Sequence, residues 1–148
     1  MKKEKMNNKG FSLVELIIVI AIMAVLVVVL APQFLKYVEK GRVSTDKDNA
    51  AAIATALQVW AAAEGSPAHD IKITVSPKNA TDPGIAFTTD PDTWASDALT
   101  DAGIKAGDAP VQSKEAAWKD SYTVEYKKDS TSGIWGVVFV PAAIGEAD

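Results

Sequence analysis

Apolar residues fill positions 16 to 31 without a break, sixteen in a row, and Phe11, Leu13 and Val14 extend the run toward the amino terminus. Only Ser12 and Glu15 interrupt it. At ~1.5 Å per residue, roughly 20 helical residues cross the hydrocarbon core of a bilayer. Twelve of the sixteen residues are Leu, Ile or Val. At roughly 0.3 to 0.6 kcal/mol each they favour insertion by about 4 to 7 kcal/mol, against about 3 kcal/mol for one acidic residue near a helix centre. Glu15 lies toward one end, where the cost is smaller, so the pattern predicts a helix that inserts despite it. Lys2, Lys3, Lys5 and Lys9 against Glu4 make the preceding flank basic. Basic flanks stay in the cytoplasm, which directs residues 36 to 148 outward.

The helical pattern does not stop at the end of the apolar run. Pro32 stands inside it, where the missing N–H predicts a kink or a locally loosened turn. Phe34, Leu35 and Val38 continue an apolar stripe, a polar stretch follows over 39 to 49, and the stripe resumes at Ile53, Ala56, Leu57 and Trp60. Gly65, Ser66 and Pro67 end it. The spacing predicts one helix from about Phe11 to Glu64, with Gly41 as a flexible point and a second half whose apolar face covers a sheet.

After the helix, residues 71–75 read as a short strand. Residues 90 to 103 read as a helix with Asp90 as N-cap, Pro91 at its first position and Gly103 past its end. Trp94, Ala98, Leu99 and Ala102 form its expected buried face. Tyr122, Val124 and Tyr126 alternate, a polar loop follows, and residues 134–140 form a second, almost wholly apolar strand, together a hairpin. The apolar continuity of that second strand predicts a central position, covered on both faces. The fold class is therefore α+β: a long N-terminal helix, membrane-spanning in its first half, packed on a small antiparallel sheet.

Composition narrows the function. The chain carries 15 basic and 19 acidic residues, a net charge of −4. Without residues 1 to 10, which hold four Lys and one Glu, 11 basic and 18 acidic residues remain, a net −7. Bulk nucleic-acid binding is not expected of such a surface. There is no cysteine, so neither a disulfide nor a thiolate metal set is available. His69 is the single histidine, and Ser66, His69 and Asp70 fall in a turn after a helix rather than in a triad pattern. Asp82, Asp90, Asp92, Asp97 and Asp101 match no calcium-loop spacing. Trp60, Trp94, Trp118 and Trp135 are read as packing residues rather than sugar platforms. Asn79, Ala80 and Thr81 form a glycosylation acceptor sequence. No catalytic, cofactor-binding or metal site is expected, and the chain is not read as an enzyme.

The residues around Glu15 carry a resemblance. A short basic leader ending in Gly10, then Phe11, Ser12, Leu13, Val14 and Glu15, then an unbroken apolar helix with Pro32 near its end, resembles the type IV pilin family. The resemblance implies cleavage between Gly10 and Phe11 by a prepilin peptidase and N-methylation of the new terminus at Phe11. It also implies that Glu15 pairs with the Phe11 amine of a neighbouring subunit during assembly. Many pilins close a C-terminal loop with a disulfide, which this chain lacks.

The expected organisation is a leader at 1–10, a transmembrane and filament-core helix at 11–33, its amphipathic continuation at 34–64, and a globular α+β head at 65–148. The expected function is that of a major pilin, a structural subunit of an extracellular type IV pilus serving adhesion, surface motility or DNA uptake. Its partners are other copies of itself, the prepilin peptidase, the inner-membrane assembly platform with its ATPases, and membrane lipid before assembly. It sits in the cell membrane as a single pass first and at the cell surface afterwards. One alternative is a pseudopilin of a type II secretion or competence system; another is a membrane-anchored sensor or binding domain. A cleaved secretory signal peptide fits less well, because Pro32 follows the small residue at its end and Glu15 is left without a reason.

Overall fold

A computed structural model describes residues 11–77, 84–89, 93–105, 110–114 and 116–145. The leader with Gly10, the Asn79 to Thr81 acceptor, Asp82, and Asp90 to Asp92 lie outside the described residues. The chain divides into two compact units, Met1–Val38 and Glu39–Asp148.

Helix α1 (Leu13–Glu64) is 52 residues long and runs through Pro32 and Gly41 without a break. Ser12, rather than Phe11, stands at its start because the first helical bond runs from the Leu16 N–H to the Ser12 carbonyl, at 3.2 Å. It stops where expected: Gly65 takes φ 92°, a left-handed conformation that costs glycine little. In the first unit, large apolar side chains from Phe11 to Tyr37 are exposed. Among the described residues nothing buries them, and α1 is long and apolar enough there to cross a membrane.

The second unit is the α+β body. Strands β1 (Ile71–Val75), β2 (Ile85–Thr89), β3 (Tyr122–Lys128) and β4 (Trp135–Val140) form one antiparallel sheet in the order β2-β1-β3-β4. Helix α2 (Trp94–Asp101) lies between β2 and β3 in the chain, and a 3₁₀ turn (Ala142–Gly145) follows β4. One sheet face carries Ile71, Ile73, Val75, Tyr122, Val124 and Tyr126, all buried. They pack in one cluster with Ala50, Ile53, Ala54, Ala56 and Leu57 of α1 and Ala95, Ala98 and Leu99 of α2. Full burial of a Leu, Ile or Val stabilises by roughly 1.5 to 3 kcal/mol, so this face carries most of the body's cohesion. On the opposite face Glu125 sits between Lys72 at 3.9 Å and Lys127 at 3.1 Å, partly solvated pairs worth little.

Two expectations are corrected, and one strand was missed. The apolar strand β4 is not central but at the edge of the sheet. Trp135, Val137 and Phe139 pack on the core, whereas Val138 and Val140 are 37% and 48% exposed on the other face. Continuous hydrophobicity was the signal of two covered faces, and here only one is covered. Helix α2 begins at Trp94 behind Thr93, which takes φ 62° and donates its hydroxyl to Asp97 Oδ2 at 3.2 Å; its buried residues are Ala95, Ala98 and Leu99, while Ala102 is exposed. Strand β2 was not foreseen, being five residues long with no alternation strong enough to mark it.

Candidate functional site

The segment singled out by sequence, Phe11 to Glu15, lies at the start of α1. Phe11 is 85% exposed, outside the helix. Glu15 occupies the first helical turn, where a carboxylate meets the positive end of the helix dipole. The Ser12 N–H donates to Glu15 Oε2 at 2.8 Å, and the Val14 N–H donates to Ser12 Oγ at 3.4 Å. The structure thus brings Glu15 to Ser12, and no ion pair to Glu15 occurs among the described residues. Pro32 lies within the helix in the exposed apolar stretch.

A second constellation was missed in the sequence. Asp46 is fully buried. Its Oδ1 accepts the Gln112 N–H at 2.7 Å, and its Oδ2 accepts the Ser113 N–H at 2.9 Å and the Trp118 indole N–H at 3.2 Å. Two turns earlier, Glu39 Oε1 accepts the Ser113 hydroxyl at 2.5 Å and the Lys114 N–H at 2.8 Å. Glu39 Oε2 pairs with Arg42 at 3.5 Å. These two carboxylates pin a segment without regular structure, whose backbone donors need partners once buried. The signal was present: Asp46, Ala50, Ile53 and Leu57 share one helical stripe, so an acid stood at a core position. Tyr122 closes the same region. Burial, reinforced by the Asp46 charge, pushes its phenol well above the ordinary value of 10.

The remaining candidates are structural. Trp94, Tyr126 and Trp135 stack, with ring centroids 5.7 and 5.4 Å apart, and Trp94 donates its indole N–H to the Gly65 carbonyl at 3.1 Å. Trp118 is buried and Trp60 half-buried. Asp70 Oδ1 accepts the Lys128 N–H at 3.2 Å, tying the turn before β1 to the end of β3. In the loop joining β3 to β4, Asp129 accepts from the Ser132 N–H and hydroxyl and from the Thr131 N–H, which hold its carboxyl below the usual 3.8. Among the described residues, no three His, Cys, Asp or Glu side chains gather to hold a metal ion.

Comparison with known proteins agrees with the helix start. The prokaryotic N-terminal methylation motif matches residues 5–31. The chain is also similar to the prepilin peptidase-dependent protein A of Clostridium perfringens (strain 13 / Type A), 39% identical over 85 residues, which cover 55% of this chain and 61% of that protein. The match thus spans about three fifths of the relative's length. No solved structure matches. The segment through Glu15 therefore matches a prokaryotic N-terminal methylation motif, and over 85 residues the chain is similar to a prepilin peptidase-dependent protein. The apolar helix with its motif fits membrane anchoring.

Proposed function

We propose that this chain is a major pilin, a subunit cleaved between Gly10 and Phe11, N-methylated at Phe11, and polymerised through α1 into an extracellular type IV pilus. The observation that carries the reading is the exposed apolar stretch of α1 headed by Glu15. Lipid covers such a surface before assembly and neighbouring copies of the same helix cover it afterwards. Dependence on a prepilin peptidase, which the clostridial relative's name states for that protein, is carried over here as processing by the same class of enzyme. Assembly also needs the inner-membrane platform and its ATPases, and the filament serves adhesion, surface motility or DNA uptake.

In that filament the cationic amine of one processed Phe11 meets the Glu15 carboxylate of a neighbour. A buried unpaired charge is heavily penalised, so the pair fixes the axial register of the helices more surely than it adds stability. Pro32 leaves a carbonyl on the preceding turn unsatisfied, which costs roughly 3 kcal/mol in a helix interior. It marks the segment at 24–33 as the place where the filament core extends under tension.

Replacing Glu15 with Leu tests the central step. Insertion and leader cleavage are expected to continue, since only an unfavourable contribution to insertion is removed, while filament yield falls steeply. Normal yield from cells whose only copy is Glu15→Leu would contradict the proposal. The pseudopilin reading shares every step up to assembly and differs in a filament that stays short and within the envelope.

A further inference from the structure

The spacing of Ser12 and Glu15 is that of a capping box, S-x-x-E, in which the N-cap side chain and the carboxylate three residues on satisfy each other's orphan amides. The carboxylate arm is present, and the hydroxyl caps the amide one residue earlier, that of Val14 rather than of Glu15. Val14 N–H donates to Ser12 Oγ at 3.4 Å, and Ser12 N–H donates to Glu15 Oε2 at 2.8 Å. The first helical bond, from the Leu16 N–H to the Ser12 carbonyl at 3.2 Å, places Ser12 at the N-cap itself. Glu15 Oε1 has no partner among the described residues.

We infer that Ser12 is a positioning residue for Glu15: the box commits one carboxylate oxygen to the helix's own end and leaves the other free for a cation brought by a second copy of the chain. The flexible glutamate side chain otherwise samples several rotamers. Bound back on Ser12, it is held toward the helix start, against the positive end of the dipole. In apolar surroundings this also satisfies one Glu15 acceptor and one backbone donor, which lowers the cost of carrying the carboxylate there. An arriving amine then meets an oxygen already oriented, with no side-chain ordering left to oppose the contact. The use of Oε1 rests on the assembly reading above; the box itself does not.

Amide hydrogen exchange on the full uncleaved chain in detergent micelles tests the box. The Ser12 amide should exchange about fivefold or more slowly relative to Glu15→Leu, the ratio that a typical N-cap contribution implies. Ser12→Thr should keep the slow exchange of the Val14 amide and Ser12→Ala should lose it. Equal exchange of the Ser12 amide in wild type and Glu15→Leu would overturn the inference. Assembly in cells tests the positioning role, with leader cleavage followed by mass as the control. Ser12→Thr should enter filaments as wild type does, and Ser12→Ala several-fold less, both fully cleaved. Ser12→Ala keeps the backbone N–H that holds Glu15 and loses only the hydroxyl's cap on the Val14 amide, so its full incorporation, with that amide exchanging faster, would overturn the positioning role of the Ser12 side chain. Normal assembly of Glu15→Leu would remove the assembly reading and the use of Oε1, while slow exchange at Ser12 would still establish the box.

Discussion

At the residue scale, Asp46 joins α1 to the segment around Ser113 from within the core. Three N–H donors end on its carboxylate, and removing the acceptor strands all of them in a buried site at about 1 to 3 kcal/mol per group, not fully additive. Asp46→Leu should therefore lower the unfolding free energy by about 3 kcal/mol or more, read from thermal unfolding of the full chain in detergent by Trp118 fluorescence. Glu39→Gln should cost less, since Glu39 keeps some contact with solvent and an amide oxygen can still accept from Ser113. Tyr122 adds a pH dependence. Its folded value lies above the unfolded 10 because burial, and then the Asp46 charge, oppose the phenolate. The stability this carries is complete below pH 10 and falls as the pH rises beyond it, since the unfolded chain ionises first. Ultraviolet titration should show the Tyr122 phenol still protonated where exposed tyrosines have ionised, and Asp46→Asn should move its midpoint down.

At the element scale, the sheet offers a direct comparison between an edge and a central strand. Val138 on β4 faces outward and is 37% exposed, whereas Val124 on β3 is fully buried between β1 and β4. Val138→Lys should change stability by no more than about 0.5 kcal/mol. Val124→Lys should abolish cooperative unfolding, because an unpaired ammonium does not fit a close-packed core. Two severe outcomes would mean that something covers β4 after all. Gly145 supplies a steric check next to the same strand: a Cβ there would collide with the Phe139 ring. Gly145→Ala should cost about 1 to 3 kcal/mol by overpacking. Periodicity marked α1, β1 and the β3–β4 hairpin because their patterns are long or strictly alternating. The same reading misplaced β4, since an apolar run gives the hydrophobicity of a strand but not the number of neighbours it has. It missed β2, whose residues IAFTT do not alternate as those of β1 do, and it began α2 early because an Asp-Pro pair resembles a helix start.

At the scale of the whole molecule, the candidate site and the body were legible to different degrees. Glu15 stood out because a charge inside an apolar run is costly and conspicuous. The Glu39 and Asp46 pair hid in a polar stretch, and its partners around Ser113 lie more than sixty residues away, a separation no local pattern reports. The proposed assembly would cover the exposed apolar stretch of α1 with neighbouring copies of the same helix. Intact-mass measurement of filaments sheared from the cell surface tests that claim most directly. The account expects their bulk protein to be this chain, beginning at an N-methylated Phe11 and lacking residues 1 to 10. Filaments made of another protein, with this chain left in the membrane at its uncleaved mass, would contradict it.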